Sequence, residues 1–146
     1  MLVYTYIGTF FGCSTSSLVA KIIGKRVTAD GESKRIEYYI SDGVYGSFNT
    51  VLSCQILPGS FPAPVQCHSE IEYETTIWGP TCDSSDKVCT LTMAELDIGD
   101  WLLFGDMGSY TISTSSNFNG YGTCTFVTVY YITESIRYVA SIILVE

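Results

Sequence analysis

The sequence predicts an all-β domain, built as a Greek-key-like barrel or sandwich. Its 146 residues suit one domain with a substantial core, and a content of 47% hydrophobic and 15% charged residues excludes a disordered chain. Eleven tyrosines, together with many Thr, Val and Ile, favour strands over helices. The apolar runs are short and separated by stretches rich in Gly, Pro, Ser and Asp, which is typical of strands joined by turns.

The first half of the chain predicts a hairpin followed by loops. The runs SLVAKIIGKRV (17–27) and RIEYYI (35–40) predict two strands, joined through the turn-forming stretch TADGESK (28–34). The segment SDGVYGSFNTVLSC (41–54) opens as a glycine-containing loop and continues into an apolar stretch. Residues 56–64 hold three of the four prolines and predict an irregular surface loop.

The second half continues the strand pattern. IEYETTIW (71–78) alternates polar and apolar residues as a half-buried strand does, and WLLF (101–104), which follows a Gly-Asp turn, predicts a buried strand. A glycine turn then leads into a predicted strand, SYTIST (109–114). TFVTVYYI (125–132) predicts a further strand, and the closing ESIRYVASIIL suits either a strand or a helix.

Charge and hydropathy narrow the classes of partner. The net charge is −8, and the seven Lys and Arg residues do not cluster beyond GKR at 24–26, so we predict no nucleic-acid partner. The first twenty residues carry no charge, but they lack the basic segment of a signal peptide, and Ser, Thr and Gly interrupt them too often for a membrane span. We therefore predict a cytoplasmic protein without a membrane partner.

The cysteines predict no metal site. No CxxC pair occurs, and the single histidine, His68, adjoins Cys67 without a second close-spaced ligand pair. In a cytoplasmic protein the default is free thiols, most of them behaving as small buried hydrophobes. The six cysteines are Cys13, Cys54, Cys67, Cys82, Cys89 and Cys124.

One stretch suggests chemistry. TTIWGPTCDSSD (75–86) places Cys82 and Asp83 on a loop just past a Gly-Pro bend. The pair is either a working thiol beside a working carboxylate, or a small hydrophobe beside an aspartate that caps its turn. No glycine-rich phosphate loop of the usual kinds occurs, and a Ser-His-Asp triad would depend on His68 alone. The residues by themselves therefore indicate an acidic β domain with one unusual loop.

Several segments, in chain order, resemble the C-terminal β domain of eukaryotic ornithine decarboxylase and of its inactive relative, the antizyme inhibitor. They are EYYISDGVYGSFNTVL, IWGPTCDSSD, IGDWLLFGDMGSYTISTSSNFNGY and VYYI, and the resemblance runs from about Ser14 to Ile132. It implies the C-terminal domain fold of fold-type III pyridoxal phosphate decarboxylases, lyases of polyamine biosynthesis. Residues 14–146 would be that β domain, and residues 1–13 a divergent remnant of the end of a preceding barrel domain.

The resemblance implies roles for the unusual loop and for two aromatic residues. In the family, two subunits pair head to tail and each active site takes residues from both. Cys82 would enter the partner's site and direct protonation after decarboxylation, and Asp83 would bind the distal amine of a small diamine or amino-acid substrate. Tyr110 matches a tyrosine whose hydroxyl contacts the cofactor phosphate, and Phe118 matches an aromatic of the substrate pocket. Their simpler interpretations are a half-buried strand tyrosine and plain core packing.

Further positions match less specific roles. Gly8 matches a glycine of the family's cofactor-binding segment at the end of the barrel. Asp86 matches a carboxylate that pairs with a lysine across the dimer interface, although a cap or turn role is equally simple. Tyr45 and Phe48 are packing or interface residues in this interpretation.

The departures from the family pattern leave the activity open. The sequence has no counterpart of the barrel or of its Schiff-base lysine, so pyridoxal phosphate, the implied cofactor, would not be bound covalently. Tyr6 stands where a glutamate holds the pyridine nitrogen, and Thr9 stands where an arginine lies near the phosphate. Ser53 and Cys54 replace a Tyr-Asp pair whose aspartate binds the substrate amine. We expect a decarboxylase-like domain that is inactive as an isolated chain; the alternatives are a non-catalytic paralogue of the antizyme-inhibitor kind or a dimerisation or structural module.

Overall fold

The computed structural model describes residues 8–31, 33–54, 61–121, 127–133 and 136–145, with the backbone alone for Asp30, Cys54 and the strands beyond residue 126. Within these ranges the chain forms two short α-helices and several strands, joined by turns and short 3₁₀ segments. In chain order they are α1 (Thr9–Gly12), β1 (Ser16–Asp30), β2 (Ser33–Ile40), α2 (Asn49–Cys54), β3 (Ala63–Pro64), β4 (Glu72–Trp78), β5 (Lys87–Ala94), β6 (Trp101–Phe104), β7 (Val127–Thr133) and β8 (Ile136–Val145).

The strands pair into one sheet whose main path runs β3-β6-β1-β2-β4-β5 and curls into a half-barrel. The long strand β1 is central: its first part pairs with β6 and, in parallel, with β8, while the rest forms an antiparallel hairpin with β2. β7 joins through β8. The all-β prediction is confirmed. Neither α-helix in the described ranges is long and apolar enough to cross a membrane.

The pairing of β2 with β4 explains where the unusual loop lies. These neighbours run parallel, and Tyr39 lies opposite Trp78 near their carboxyl ends. Because parallel neighbours end at the same edge of a sheet, the segments that follow them are brought side by side. We call these segments the β2 loop (residues 41–48) and the β4 loop (residues 79–86).

The core lies inside the curl of the sheet. Alternate residues of β2 point inward, and Phe48 of the β2 loop packs edge-on against Phe104 of β6, with ring centroids 4.8 Å apart. Tyr38 is fully buried; its hydroxyl donates to the Leu96 carbonyl (3.1 Å) and accepts from the Leu96 N–H (2.6 Å), so its polar atom is satisfied. Each large side chain buried in this way stabilises the fold by about 1.5–3 kcal/mol.

Most of the predicted elements are confirmed. The hairpin forms, although β1 extends further than predicted and the turn contracts around Gly31, whose φ of 62° suits glycine. The strands predicted over 71–78, 101–104 and 125–132 are present, and the closing segment is a strand rather than a helix. β5 has no counterpart in the sequence prediction.

The strand predicted over 109–114 is wrong. Tyr110 adopts a positive φ of 55°, which an extended strand does not allow, and Ile112–Thr114 forms a 3₁₀ turn. The buried hydroxyl of Thr111 donates to the Met107 carbonyl at 2.9 Å, and this local bond competes with strand pairing. The alternation of polar and apolar residues over 109–114 is therefore compatible with a compact turn as well as with a strand.

The prediction of mostly buried cysteines is also wrong for those whose side chains are described. Cys67 and Cys82 are exposed, Cys13 and Cys89 are partly buried, and all four are free thiols. Cys67 and Cys82 lie in loops, where the thiol has little apolar cover, whereas Cys89 lies in β5 and packs partly against the core. Cys54 and Cys124 lie outside the described side chains.

Candidate functional site

The β4 loop is a closed hairpin loop that presents Cys82 and Asp83. It joins the antiparallel strands β4 and β5 and is fastened at its base, where the Gly79 N–H donates to the Asp86 carbonyl at 2.8 Å. Inside the loop, the Asp86 N–H donates to the Asp83 carbonyl at 3.0 Å. The loop is therefore held by its own backbone, and its tip faces solvent.

Asp83 carries an oriented carboxylate. Its Oδ1 accepts from the Ser85 N–H at 2.8 Å, and its Oδ2 accepts from the Tyr45 hydroxyl at 2.7 Å. The Ser85 N–H and then the Tyr45 hydroxyl stabilise the charged form and lower the pKa of Asp83 below its usual value. Asp83 is thus a preorganised anion.

Tyr45 of the β2 loop joins three segments. Its ring stacks on Phe118, with centroids 4.1 Å apart and an interplanar angle of 25°, and its carbonyl accepts from the Ser116 N–H at 2.8 Å. The hydrogen bond to the Asp83 carboxylate raises the pKa of the Tyr45 phenol, so the phenol remains the proton donor. The structure therefore brings Tyr45, Asp83 and Phe118 together.

Cys82 completes this cluster. Its thiol is exposed, and the Asn119 side-chain amide donates to Sγ at 3.4 Å. We call Tyr45, Cys82, Asp83 and Phe118 the loop cluster. It combines a solvent-accessible thiol, a carboxylate and an aromatic face, which can deliver a proton, bind a cation and cover an aliphatic chain respectively.

A cleft of about 280 Å³ borders the loop cluster, and Arg26, Trp78, Cys82 and Asp83 contribute to its walls. Arg26 does not neutralise the carboxylate, because it forms an ion pair with Glu37, which also accepts from the Trp78 indole N–H at 3.3 Å. In the described part of the chain, Asp83 has no ion-pair partner. An ionised, oriented carboxylate beside a cleft is suited to a cationic ligand.

Asp86 lies behind this surface. It is 1% exposed; Oδ1 accepts from the Val44 N–H (2.9 Å), and Oδ2 accepts from the Thr81 N–H (2.9 Å) and hydroxyl (2.7 Å). This geometry matches the turn-stabilising alternative for Asp86. An ion pair across a dimer interface stays a prediction.

The residues implied to contact the cofactor lie apart from the loop cluster. Tyr110 is 58% exposed in a turn whose Gly108 N–H donates to the Cys13 carbonyl at 2.8 Å, which sets this turn against the end of α1. Gly8 precedes α1, and Thr9 is its first residue. Tyr6 lies outside the described residues.

These positions fit a pyridoxal phosphate molecule only in part. The exposed Tyr110 phenol is able to contact a phosphate. Three of the four lysines make contacts of their own: Lys25 and Lys34 both pair with Glu95, at 3.1 and 2.5 Å, and Lys21 lies over the Trp101 ring. The fourth, Lys87, is exposed at the start of β5, directly after the β4 loop. Tyr110 therefore suits a contact to the phosphate of a cofactor whose other contacts would come from residues outside this chain.

Sequence reasoning missed two features of the site. Asn119 contacts Cys82 from a left-handed turn, with φ of 56°, followed by Gly120 at φ of 76°. The Asn-Gly pair predicts such a turn, but it does not show that the turn reaches Cys82. The second feature is the pair Gly43 and Gly79, which pack against the Asp86 carboxylate.

Comparison with known proteins identifies the family to which the chain belongs. The family model described as the pyridoxal-dependent decarboxylase C-terminal sheet domain matches residues 3–108. The chain belongs to this family. The match extends from the segment before α1 through the β4 loop and β6, so the loop cluster sits largely inside a decarboxylase-family domain.

Curated relatives of this decarboxylase-family domain include enzymes and an inhibitor protein. The present chain is 42% identical over 129 residues to the chloroplastic ornithine decarboxylase of Nicotiana glauca, and the match covers 83% of this chain and 29% of that protein. It is 41% identical over 128 residues to antizyme inhibitor 2 of Xenopus laevis, covering 78% of this chain and 27% of that protein.

Solved decarboxylase structures share the fold. The arginine decarboxylase of Paramecium bursaria Chlorella virus, bound to agmatine, matches with a TM-score of 0.69 and 33% identity over 79% of this chain and 31% of that one. The Vibrio vulnificus lysine/ornithine decarboxylase complexed with cadaverine matches with a TM-score of 0.67 and 29% identity, over 80% and 30% of the two chains. The decarboxylase-family domain thus spans less than a third of the length of these relatives.

Proposed function

We propose that this domain acts as part of a pyridoxal phosphate-dependent decarboxylase of the ornithine type, in a cytoplasmic head-to-tail dimer that serves polyamine biosynthesis. The β4 loop supplies Cys82 and Asp83 to the active site of the partner subunit. The isolated chain does not decarboxylate substrate, because an amine for covalent cofactor attachment must come from another domain.

The orientation of Asp83 carries this proposal. Its carboxylate is held by Tyr45 and Ser85, kept ionised by their hydrogen bonds, and left without a cationic partner among the described side chains. A diamine or diamino acid presents a distal ammonium, which is the complement of such a group. Phe118, stacked on Tyr45, offers an apolar face for the methylene chain of the same substrate.

Cys82 is proposed to be the proton donor. Bound pyridoxal phosphate supplies the electron-accepting ring that makes loss of carbon dioxide possible. The carbon that loses carbon dioxide must then take up a proton. The Cys82 S–H bond breaks as the new C–H bond forms, and the exposed thiolate regains its proton from solvent. Tyr110 would hold the cofactor phosphate, and Gly8 would allow the chain to pass close to it.

The test is a chimera in which residues 14–146 replace the corresponding domain of the Nicotiana glauca ornithine decarboxylase. Cys82→Ala should lower kcat by about 10²–10⁴-fold, the usual contribution of a positioned proton donor. Asp83→Asn should lower kcat/KM about 10–100-fold, mainly through KM, because it weakens ammonium binding. Cys67→Ala is the matched control, since Cys67 is also an exposed free thiol but does not line the cleft beside the loop cluster.

Position 54 favours a second candidate function. Cys54 ends α2, shortly after the β2 loop, where active members of the family carry a substrate-binding carboxylate. Together with the similarity to antizyme inhibitor 2, this favours a non-catalytic paralogue that acts through protein contacts.

The same chimera separates the two functions. If the domain is catalytic, the chimera should turn over ornithine, and Cys54→Asp should raise kcat/KM by about tenfold to a hundredfold. A chimera that folds and dimerises but stays inactive even with Cys54→Asp would support the non-catalytic paralogue. If Asp83→Asn and Cys54→Asp both leave an active chimera unchanged, the β4 loop does not face a diamine, and a purely structural module is the better interpretation.

A further inference from the structure

We propose that Asp86 is a positioning residue that locks the β2 loop to the β4 loop and so sets the geometry of Tyr45, Cys82 and Asp83. Its relevance to decarboxylation rests on the proposed function, whereas the locking itself is a property of this chain. Asp86 does not belong to the loop cluster, and it acts through the backbone of both loops.

The contacts of Asp86 connect the two loops through buried atoms. Oδ1 accepts from the Val44 N–H of the β2 loop at 2.9 Å, while Oδ2 accepts from the Thr81 N–H and hydroxyl of the β4 loop. Val44 is 0% and Thr81 is 8% exposed, so water cannot readily replace the carboxylate as their acceptor. A buried network whose members are all satisfied rigidifies the segments that it joins.

Two glycines make room for this arrangement. A Cβ added to either Gly43 or Gly79 would overlap the Asp86 carboxylate, and a Cβ on Gly43 would also lie 2.8 Å from the Gly79 Cα. The loops therefore meet backbone to backbone, with one carboxylate enclosed beside them. In Asp86→Glu, the longer side chain would not have the space to keep its carboxylate in this position.

The same two loops share a second, more exposed connection, the Tyr45–Asp83 hydrogen bond of 2.7 Å. A solvent-accessible polar contact joins the two loops only weakly, because water competes for both partners. The buried Asp86 contacts should therefore determine whether Tyr45 stays within reach of Asp83. This is how a side chain that touches no ligand would control the group proposed to bind the substrate amine.

Asp42 provides a matched control. It is a buried aspartate of the β2 loop, 5% exposed, and its Oδ1 accepts from the Gly43 and Ser47 N–H groups. Both hydrogen bonds stay within its own loop, and Asp42 makes no described hydrogen bond to the β4 loop; its described link to that loop is the like-charge interaction with Asp86. Asp42→Asn thus makes the same chemical change as Asp86→Asn without cutting the connection between the loops.

The test measures the pKa of Asp83 by carboxyl-carbon NMR in the full chain. Asp86→Asn should raise the Asp83 pKa, because the hydrogen bond from Tyr45 is weakened when the loops separate. Loss of the Asp86 charge by itself would lower the Asp83 pKa, so the sign of the change distinguishes the two effects. Tyr45→Phe should also raise the Asp83 pKa. Combining Asp86→Asn with Tyr45→Phe should raise it little beyond either single change, and Asp42→Asn should leave the Asp83 pKa unaltered.

A second measurement begins with the wild-type chain, and this first part does not depend on any variant folding. In the wild-type chain, scalar couplings across hydrogen bonds should connect the Val44 and Thr81 amide nitrogens to the Asp86 carboxyl carbon. Amide exchange in both loops should accelerate on the order of tenfold or more with Asp86→Asn, while Asp42→Asn should affect only the β2 loop. Absence of both couplings, or a lowered Asp83 pKa in Asp86→Asn, would overturn the proposal.

The catalytic chimera separates failure of this inference from failure of the proposed function. If the couplings and the Asp83 pKa behave as expected but the chimera is inactive, Asp86 locks the loops and the proposed function is wrong. If the chimera is active and Asp86→Asn leaves kcat/KM unchanged while Asp83→Asn impairs it, the proposed function stands and Asp86 has no positioning role. Both proposals hold if Asp86→Asn raises KM as Asp83→Asn does.

Discussion

The substitution Gly79→Ala tests the close packing on which the site is built. Gly79 has no positive φ, so the effect of alanine there is one of space rather than of backbone strain. The new Cβ would meet the Asp86 carboxylate closer than 3.0 Å, a separation that real Cβ contacts essentially never show. Either the glycine backbone or the carboxylate must move, and Asp86 then loses donors that have no other acceptor.

The magnitude follows from those contacts. A hydrogen bond to a charged group contributes about 1.5–3 kcal/mol, and Asp86 accepts from Val44 N–H, Thr81 N–H and the Thr81 hydroxyl. Since the displaced carboxylate keeps some of these partners, we expect Gly79→Ala to lower the free energy of unfolding by about 3–5 kcal/mol, as for other disrupted buried charge networks. That is a large share of the roughly 5–15 kcal/mol that stabilises a typical domain.

Urea denaturation followed by tryptophan fluorescence measures this difference, since Trp78 adjoins the altered residue. Gly8→Ala is the control, because a Cβ there meets nothing within 4 Å. It should stay within about 0.5 kcal/mol of the wild type. An unfolding free energy for Gly79→Ala within that same margin would refute the packing argument and, with it, the enclosed position of Asp86.

Three further predictions concern thiol reactivity, a buried hydroxyl and pH dependence. Alkylation followed by peptide mapping should modify the exposed Cys82 readily and Cys89 barely, because burial raises the pKa of Cys89 to about 12; comparable labelling would contradict this. Tyr38→Phe should lower the free energy of unfolding in urea by about 1–3 kcal/mol, since both polar backbone atoms of Leu96 lose their buried partner, and no loss would count against that bond. Burial raises the pKa of Asp42, so the stability that it contributes is present below its unfolded pKa of about 3.9 and is lost as pH rises through the folded value. The free energy of unfolding of Asp42→Asn, relative to that of the wild type, should therefore increase as pH rises from about 4 to about 7. A decrease over that range would refute the raised pKa of Asp42.

The fold class and the location of the unusual loop could be predicted from the sequence, because both depend on local signals. Short β-branched and aromatic runs specify strands wherever they occur, and the Gly-Pro pair after Trp78 stops β4 at the predicted place. Local signals failed where two conformations suit the same polarity pattern. Residues 109–114 alternate as a strand does, but Tyr110 adopts a positive φ and Thr111 bonds back to Met107.

The sequence by itself determined an all-β domain, placed Cys82 and Asp83 on a loop and carried the motifs of the decarboxylase family. It could not show that β2 and β4 are parallel neighbours, because strand pairing is set by contacts between residues far apart in the chain. That pairing alone brings Tyr45 to Asp83 across 38 positions and encloses Asp86 between the two loops. Tertiary structure therefore decided which carboxylate remains partly accessible to a ligand and which is buried to hold the site. Asp83 and Asp86 belong to one loop and differ in what the rest of the fold places around them.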